Sequence, residues 1–254
     1  YVQTHGPQVR VYEFTVEGPI IEDWPPASHK AIFGNKTLKE SDINQVIDNF
    51  AEKAFRRPLV DEENGAIKNM MSTLTQKGFS KEDIVKSGIA AVLSSPQFMY
   101  LQEKPGMLDD YALASRLSYF LWSNQPDEEL YSLAKQGVLS QPKVLKAQVK
   151  RMVESPKVNS FVNNFSDAWL HLDKLGTMPP DFNTSRIYYH NELGKAGRLE
   201  TTTFMKDLLQ TNGAIKNFLD SDYTFVNRGL AEFYGMSDFE KYDNKNFVKV
   251  PVKD

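Results

Sequence analysis

Three groups of carboxylates stand out among the residues able to do chemistry: Asp109-Asp110, Asp127-Glu128-Glu129, and Asp220 with Asp222. Two carboxylates flanking a scissile glycosidic bond serve as acid and as base or nucleophile, so these groups raise a glycosidase reading. The first two groups fall where helices are expected to start. Acidic side chains there are favoured by uncovered N–H groups and by the helix dipole alone. Asp220-Ser221-Asp222-Tyr223 instead falls in a loop with aromatic neighbours. Asp222 with Asn227 and Arg228 is therefore the leading polar constellation. It reads either as an oxygen-rich calcium-type site or, preferably, as a polar knot in which Asp222 caps the last helix or bonds Arg228.

The remaining candidates divide in the same way. Arg116 lies inside the apolar helix expected from Tyr111 to Trp122, where a guanidinium must be paired or reach out to water. A buried ion pair joining two helices is the preferred reading, ahead of a ligand contact. Arg56 and Arg57, in the last turn before Pro58, are expected to offset the helix dipole and to pair with Asp61 or Glu62. The four histidines, His5, His29, His171 and His190, lack metal-motif spacing, and no metal site is expected. No serine sits in a G-x-S-x-G elbow and no glycine loop matches a phosphate or dinucleotide fingerprint. Phe161, Phe165 and Trp169 recur every four residues and read as one core stripe. Trp24, Tyr188 and Tyr189 lie in loops and are the candidate surface aromatics.

The elements that must position these residues are mostly helical. Ile43, Val46, Ile47, Phe50, Ala54 and Phe55 recur at three-to-four spacing and stop at Pro58. Asp61-Glu62-Glu63, the capping-box-like Ser80-Lys81-Glu82-Asp83, Ser95-Pro96, Asp109 or Asp110, Pro126-Asp127, Ser140 and Ser155-Pro156 each mark a helix start. A long helix is expected near 191–209, closed by Asn212-Gly213. These signals give about nine helices, so the expected fold class is mainly α, a multi-helix bundle-like core. Short β segments are expected at both chain ends, near residues 9–16 and 247–252.

Composition narrows the function classes. A net charge of −3 offers no broad attraction to nucleic acid or anionic lipid. No apolar run approaches the roughly 18 residues of a membrane span. Cysteine is absent, which excludes disulfides, thiolate nucleophiles, Cys-ligated metal and a C-x-x-C-H haem attachment within these residues.

Several segments together carry a family likeness: AFRRPLVDEE (54–63), LSSPQFMYLQE (93–103), LDDYALASRLSYFLWSNQPDEEL (108–130), QVKRMVESPKVNSFVNNFSDAWLHLDKL (148–175), Glu200-Thr201 and SDYTFVNRGLAEFYGM (221–236). The chain resembles, from about residue 40 to 250, the consecutive helical domains of unknown function in large planctomycete-type exported bacterial proteins. Such domains are often linked to a c-type cytochrome domain and sometimes to a carbohydrate-binding-like β-sandwich. The resemblance implies an exported, periplasmic or cell-surface location. It also implies partners among the other domains of the same polypeptide or a protein complex, with a cytochrome c or a polysaccharide nearby. Haem c is then expected elsewhere in the full-length protein or in a partner, and no cofactor within this chain.

Four stretches are expected: 1–35, the end of a preceding β domain plus linker; 36–105, a first helical domain; 106–236, a second; and 237–254, the start of a following domain. Both ends read as cuts through a longer polypeptide. The function expected is a helical accessory or scaffold module. The alternative is a carboxylate-dependent enzyme acting on carbohydrate or an oxidisable substrate, which requires two carboxylates facing one aromatic-lined pocket at roughly 5 to 9.5 Å.

Overall fold

A computed structural model of the chain describes residues 12–18, 20, 25–34, 38–101, 103 and 105–252. Trp24 lies outside the described residues, as does part of the strand expected at 9–16. The described part of that segment, 12–16, is exposed and forms no strand. Alternating hydrophobicity favours an extended backbone, but a strand also needs a neighbour to take up its N–H and C=O groups. The chain divides into two compact units, residues 1–100 and 101–254. The described residues form twelve α-helices, α1 to α12, and two strands, β1 and β2.

The first unit holds α1 (Ala27–Phe33), α2 (Ile43–Phe55), α3 (Asp61–Gln76), α4 (Lys81–Leu93) and α5 (Pro96–Met99). Ile43, Ile47, Ala51 and Ala54 turn one face of α2 onto Ile84, Val85 and Val92 of α4 and Met71 of α3. Gly88 is the contact point of α2 and α4: a Cβ there would stand 2.5 Å from Cδ1 of Ile47. Ser80 caps α4, accepting from the Asp83 amide at 3.1 Å, and its hydroxyl donates to the Asp83 carboxylate at 2.7 Å. Asp in place of Glu thus still closes a reciprocal cap.

The two arginines have distinct jobs. Arg57 forks onto Glu63 at 2.9 and 2.8 Å, one or two residues beyond the expected Glu62 or Asp61. Glu63 also accepts the Val60 amide at 3.1 Å, so the pair ties the end of α2 to the start of α3. The Arg57 hydrogen bond holds the Glu63 carboxyl below its ordinary range, against the effect of burial. Arg56 closes α2 in the left-handed region at φ 62° and is buried at 7% exposure. Its guanidinium donates to the carbonyls of Gln97, Phe98 and Tyr100, the orphan acceptors at the end of α5.

The second unit holds α6 (Asp110–Trp122), α7 (Glu128–Lys135), α8 (Pro142–Glu154), α9 (Asn159–Leu170), α10 (Arg186–His190), α11 (Leu193–Thr211) and α12 (Arg228–Phe233). Strands β1 (Tyr223–Val226) and β2 (Val248–Pro251) pair antiparallel, Thr224 opposite Val250. The C-terminal strand therefore forms as expected, but its partner lies within the helical region at 223–226, where no strand was expected. Four residues are too short for a period-two pattern to stand out. The pairing also carries the chain back across the boundary expected at 236, and Val250 joins Val226, Leu230 and Ala231 in the core of this unit.

The block from Asp109 to Leu130 is held by polar contacts around a buried tryptophan. Asp109 caps α6 through the Ala112 amide at 2.8 Å, and Asp127 caps α7 through the Leu130 amide at 3.0 Å. Asp110 reaches across to the amides of Leu139 and Ser140 at 2.8 and 3.2 Å. Buried Ser118 donates to the Gln125 carbonyl at 3.0 Å and fixes the turn. Trp122, 4% exposed, donates its indole N–H to the Met152 carbonyl at 3.0 Å. The Arg151 guanidinium and the Lys157 ammonium lie 5.4 and 4.7 Å from its ring centroid, and Arg151 also forks onto Asp127 at 2.6 and 3.1 Å.

Trp169 departs from its expected place in the core. Phe161 packs against the core, yet Phe165 and Trp169 are 42% and 49% exposed, while Val162 and Ser166 face inward. The stripe itself is real, with ring centroids 5.4 and 5.7 Å apart along it. A row at i, i+4 is inclined to the helix axis, so it winds off the buried face within two turns. The two tryptophans should therefore differ in equilibrium urea unfolding. Trp122→Ala is expected to cost about 3 to 5 kcal/mol, as a core truncation. Trp169→Ala should cost about 1 to 2 kcal/mol, from half-burial and the loss of ring pairs.

Candidate functional site

The second unit contains an open cleft of ≈ 650 Å³ beside Trp169, within the size range of small-molecule sites. The end of α9 contributes Trp169 and Leu170, and α11 contributes Glu200 and Thr201 with Phe204 one turn on. After α11 ends at Asn212, left-handed at φ 52°, a 3₁₀ turn at Ile215–Phe218 folds back so that Phe218 meets Trp169 edge to face at 5.1 Å. Phe204 bridges Phe218 and Tyr223 at 6.1 and 5.2 Å, completing an aromatic wall. Ile215 and Leu219 stand 83% and 94% exposed at its rim.

Glu200 is the one carboxylate in that lining. Its oxygens accept the hydroxyls of Thr224 at 2.5 Å and Tyr234 at 2.7 Å. Partial burial, then the hydrogen bond to Glu200 and its charge, push the Tyr234 phenol well up, so it stays a protonated donor. Glu200, Thr224 and Val252 are shared with a second cleft of ≈ 720 Å³, lined further by Tyr234, Asp238, Lys241 and Tyr242. Behind the aromatic wall, Asp207 accepts from the Tyr223 hydroxyl at 2.9 Å and from Lys249 at 3.1 Å, and Lys249 lies 3.6 Å from the Tyr223 ring centroid. Burial first, then the Asp207 hydrogen bond, raises the Tyr223 phenol, and Asp207 raises the Lys249 ammonium.

The residues singled out from sequence fall elsewhere. Arg116 is ion-paired, but to Glu103 in the preceding segment, and its side chain is 58% exposed rather than buried between helices. The long stem carries the charge off the apolar face, as snorkelling allows. Asp222 precedes a strand, not a helix; its side chain is exposed, and its carbonyl accepts the Val252 amide at 2.8 Å. The cap is Asn227, buried, which accepts the Leu230 amide at 2.9 Å and donates to the Asn244 carbonyl at 3.1 Å. Arg228 gives its amide to Asp243 at 2.9 Å and rests its guanidinium over Phe239. The expected knot of Asp222 with the helix start or with Arg228 therefore does not form: Asn227 fixes the start of α12, and Asp222 and Arg228 have separate partners.

Tyr188 is half-buried against the core of 193–250, its hydroxyl 2.6 Å from where a Cβ on Gly194 would stand. Tyr189 donates to the Pro180 carbonyl at 2.5 Å and packs on Phe182. His171 and His190 are exposed at the ends of α9 and α10. Among the described residues no group of three or more His, Asp or Glu side chains gathers where a metal ion could be held. Glu200, Phe204, Phe218, Thr224 and Tyr234 were not singled out as a site. Their one signal in sequence is a carboxylate and a phenyl four residues apart on the long helix.

The reassigned cap yields a direct comparison by chemical denaturation. Asn227→Ala should cost about 0.5 to 2 kcal/mol, the usual loss for an N-cap. Asp222→Ala should stay within about 0.5 kcal/mol, as at an exposed site without a special contact.

A family model described as PSD4, protein of unknown function (DUF1592), matches residues 108–236, and one described as PSD5, protein of unknown function (DUF1595), matches residues 42–103. Neither a curated protein nor a solved structure matches the chain. The PSD4 match spans half of the sequence and takes in the Trp122 block, α9, Glu200 and the Asn227 cap. The chain therefore belongs to the PSD4 (DUF1592) family of proteins of unknown function, with a PSD5 (DUF1595) domain before it, the planctomycete-type consecutive helical domains that its sequence resembles.

Proposed function

We propose that this chain is a helical accessory module of a large exported, multi-domain protein, serving as scaffold and interaction surface beside a cytochrome c or polysaccharide-handling domain. The observation that carries this reading is the employment of the acidic clusters. Asp109, Asp110 and Asp127 each accept backbone amides at helix or turn starts, and Asp127 and Glu129 also pair with Arg151. Residues so engaged orient helices, and a carboxylate locked onto amides is poorly placed to exchange protons with a substrate. The two-carboxylate enzyme finds one carboxylate, Glu200, in the aromatic cleft. Exposed Trp169, Ile215 and Leu219 leave the second unit with apolar side chains in reach of a neighbour.

The test is cross-linking mass spectrometry of the full-length polypeptide isolated from the periplasmic fraction of its host. The reading expects cross-links from lysines near the cleft, such as Lys216 and Lys249, to another domain of the polypeptide or to a co-purifying cytochrome. Recovery from the cytoplasm alone, or turnover of an oligosaccharide by the isolated 254-residue chain that an Asp127→Asn variant abolishes without unfolding, contradicts it.

A further inference from the structure

The aromatic cleft has a hydrogen-bonding character that narrows its ligand. A hydroxyl owns one hydrogen to donate and two lone pairs. Around the cleft these hydrogens are spent inside the protein: Thr201 donates to the Gly197 carbonyl at 2.9 Å, Ser221 to the Tyr223 carbonyl at 2.8 Å, and Thr224 to Glu200. Tyr234, from the adjoining cleft, also donates to Glu200. What these groups still offer is lone pairs, on the threonine hydroxyls and on a carboxylate whose oxygens have room for further donors. The one cationic donor in the lining, Lys216, is exposed at the rim.

Beside these acceptors stands the wall of Trp169, Phe218 and Phe204, with Trp169 half exposed at the end of α9, as are Phe165 and Leu170. A ligand fitted to this cleft has hydrogen-bond donors along one edge and an apolar face to lay on the rings. A peptide segment brings as many carbonyl acceptors as donors, and against this lining those carbonyls would be desolvated unpaired. An anion meets the charge of Glu200. A purely apolar guest leaves the Glu200 and threonine oxygens without their water.

The geometry points to a binding site in this cleft for a polyhydroxylated ring of the neutral sugar class, stacked on the exposed Trp169 ring beside Phe218 and donating hydroxyl hydrogens to Glu200, Thr201 and Thr224. Glu200 is the anchor, held in place by the hydrogen bonds it accepts from the Thr224 and Tyr234 hydroxyls. The site requires only the folded second unit, so its failure leaves the accessory-module reading standing, and the reverse also holds.

The experiment is saturation-transfer NMR on the 254-residue chain, with glucose, galactose, mannose and xylose supplied separately at millimolar concentration. Glucuronate and benzyltrimethylammonium serve as the anionic and cationic comparisons. At least one neutral sugar should give a saturable signal, strongest at ring C–H protons, with glucuronate weaker. Trp169→Ala and Glu200→Gln should each weaken that binding at least tenfold while the melting transition is kept. Phe218→Leu, in the same aromatic wall, provides the same test should Trp169→Ala fail to fold. Absence of a saturable signal from every neutral sugar, binding retained in the Trp169 and Phe218 variants, or preference for benzyltrimethylammonium would overturn the proposal.

Discussion

Trp122 and the Asp127–Arg151 ion pair beside it are the constraint on which the second unit rests. One indole links the end of α6 to the last turn of α8 by its N–H, and its face carries two cations. One of those cations is the partner of the aspartate that starts α7. Removing any member leaves a neighbour unsatisfied: a carbonyl without its donor, a guanidinium without its carboxylate, or helix amides without their cap. Such shared dependence makes a polar cluster in a mostly apolar core specify one arrangement of helices. The first unit uses the same device on a smaller scale, where buried Arg56 gathers the carbonyls that end α5.

This constraint also accounts for the character of the acidic clusters. A carboxylate suits acid–base catalysis when its surroundings bring its pKa toward the working pH. Burial of Asp127 pushes its carboxyl up, and the Arg151 hydrogen bond, the Leu130 amide and the charges of Arg151 and Lys157 outweigh that, so it is held below its ordinary range. A group held in its charged form by three partners is a structural anion. The cleft at Trp169 is built differently, with side chains that satisfy one another and still leave acceptors toward open space. The Trp122 network and the open cleft are thus separated along the chain, the first within 108–158 and the second within 169–252.

Much of the helical grammar was legible in the sequence because caps and periodic stripes are local. Ser80, Asp109 and Asp127 cap the helices they precede, and Asn212-Gly213 closes α11 as the left-handed residue and the glycine after it should. What escaped reading was non-local. The pairing of 223–226 with 248–251 depends on a chain reversal that four-residue strands do not announce. Loop acids are good caps, which favours Asp222 over Asn227 in sequence, yet the four extended residues of β1 between them shift the helix start past Asp222. The exposure of Trp169 follows from the inclination of an i, i+4 row, which a count of spacings ignores. Glu200 became notable only once folding set Thr224 and Tyr234 against it, from 24 and 34 residues away in sequence.

The polar residues of the Trp122 block act by holding the fold, and the direct measurement is a double-mutant cycle of Asp127→Asn and Arg151→Met followed across pH. The folded-state carboxyl of Asp127 lies below its unfolded value, so the pair's contribution is fully present above the unfolded pKa of about 3.9 and is lost as pH falls through the lower folded value. Urea unfolding should give a coupling of about 0.5 to 3 kcal/mol at neutral pH, shrinking only below that threshold. A coupling near zero at neutral pH, or one that does not change on acidification, would contradict the claim.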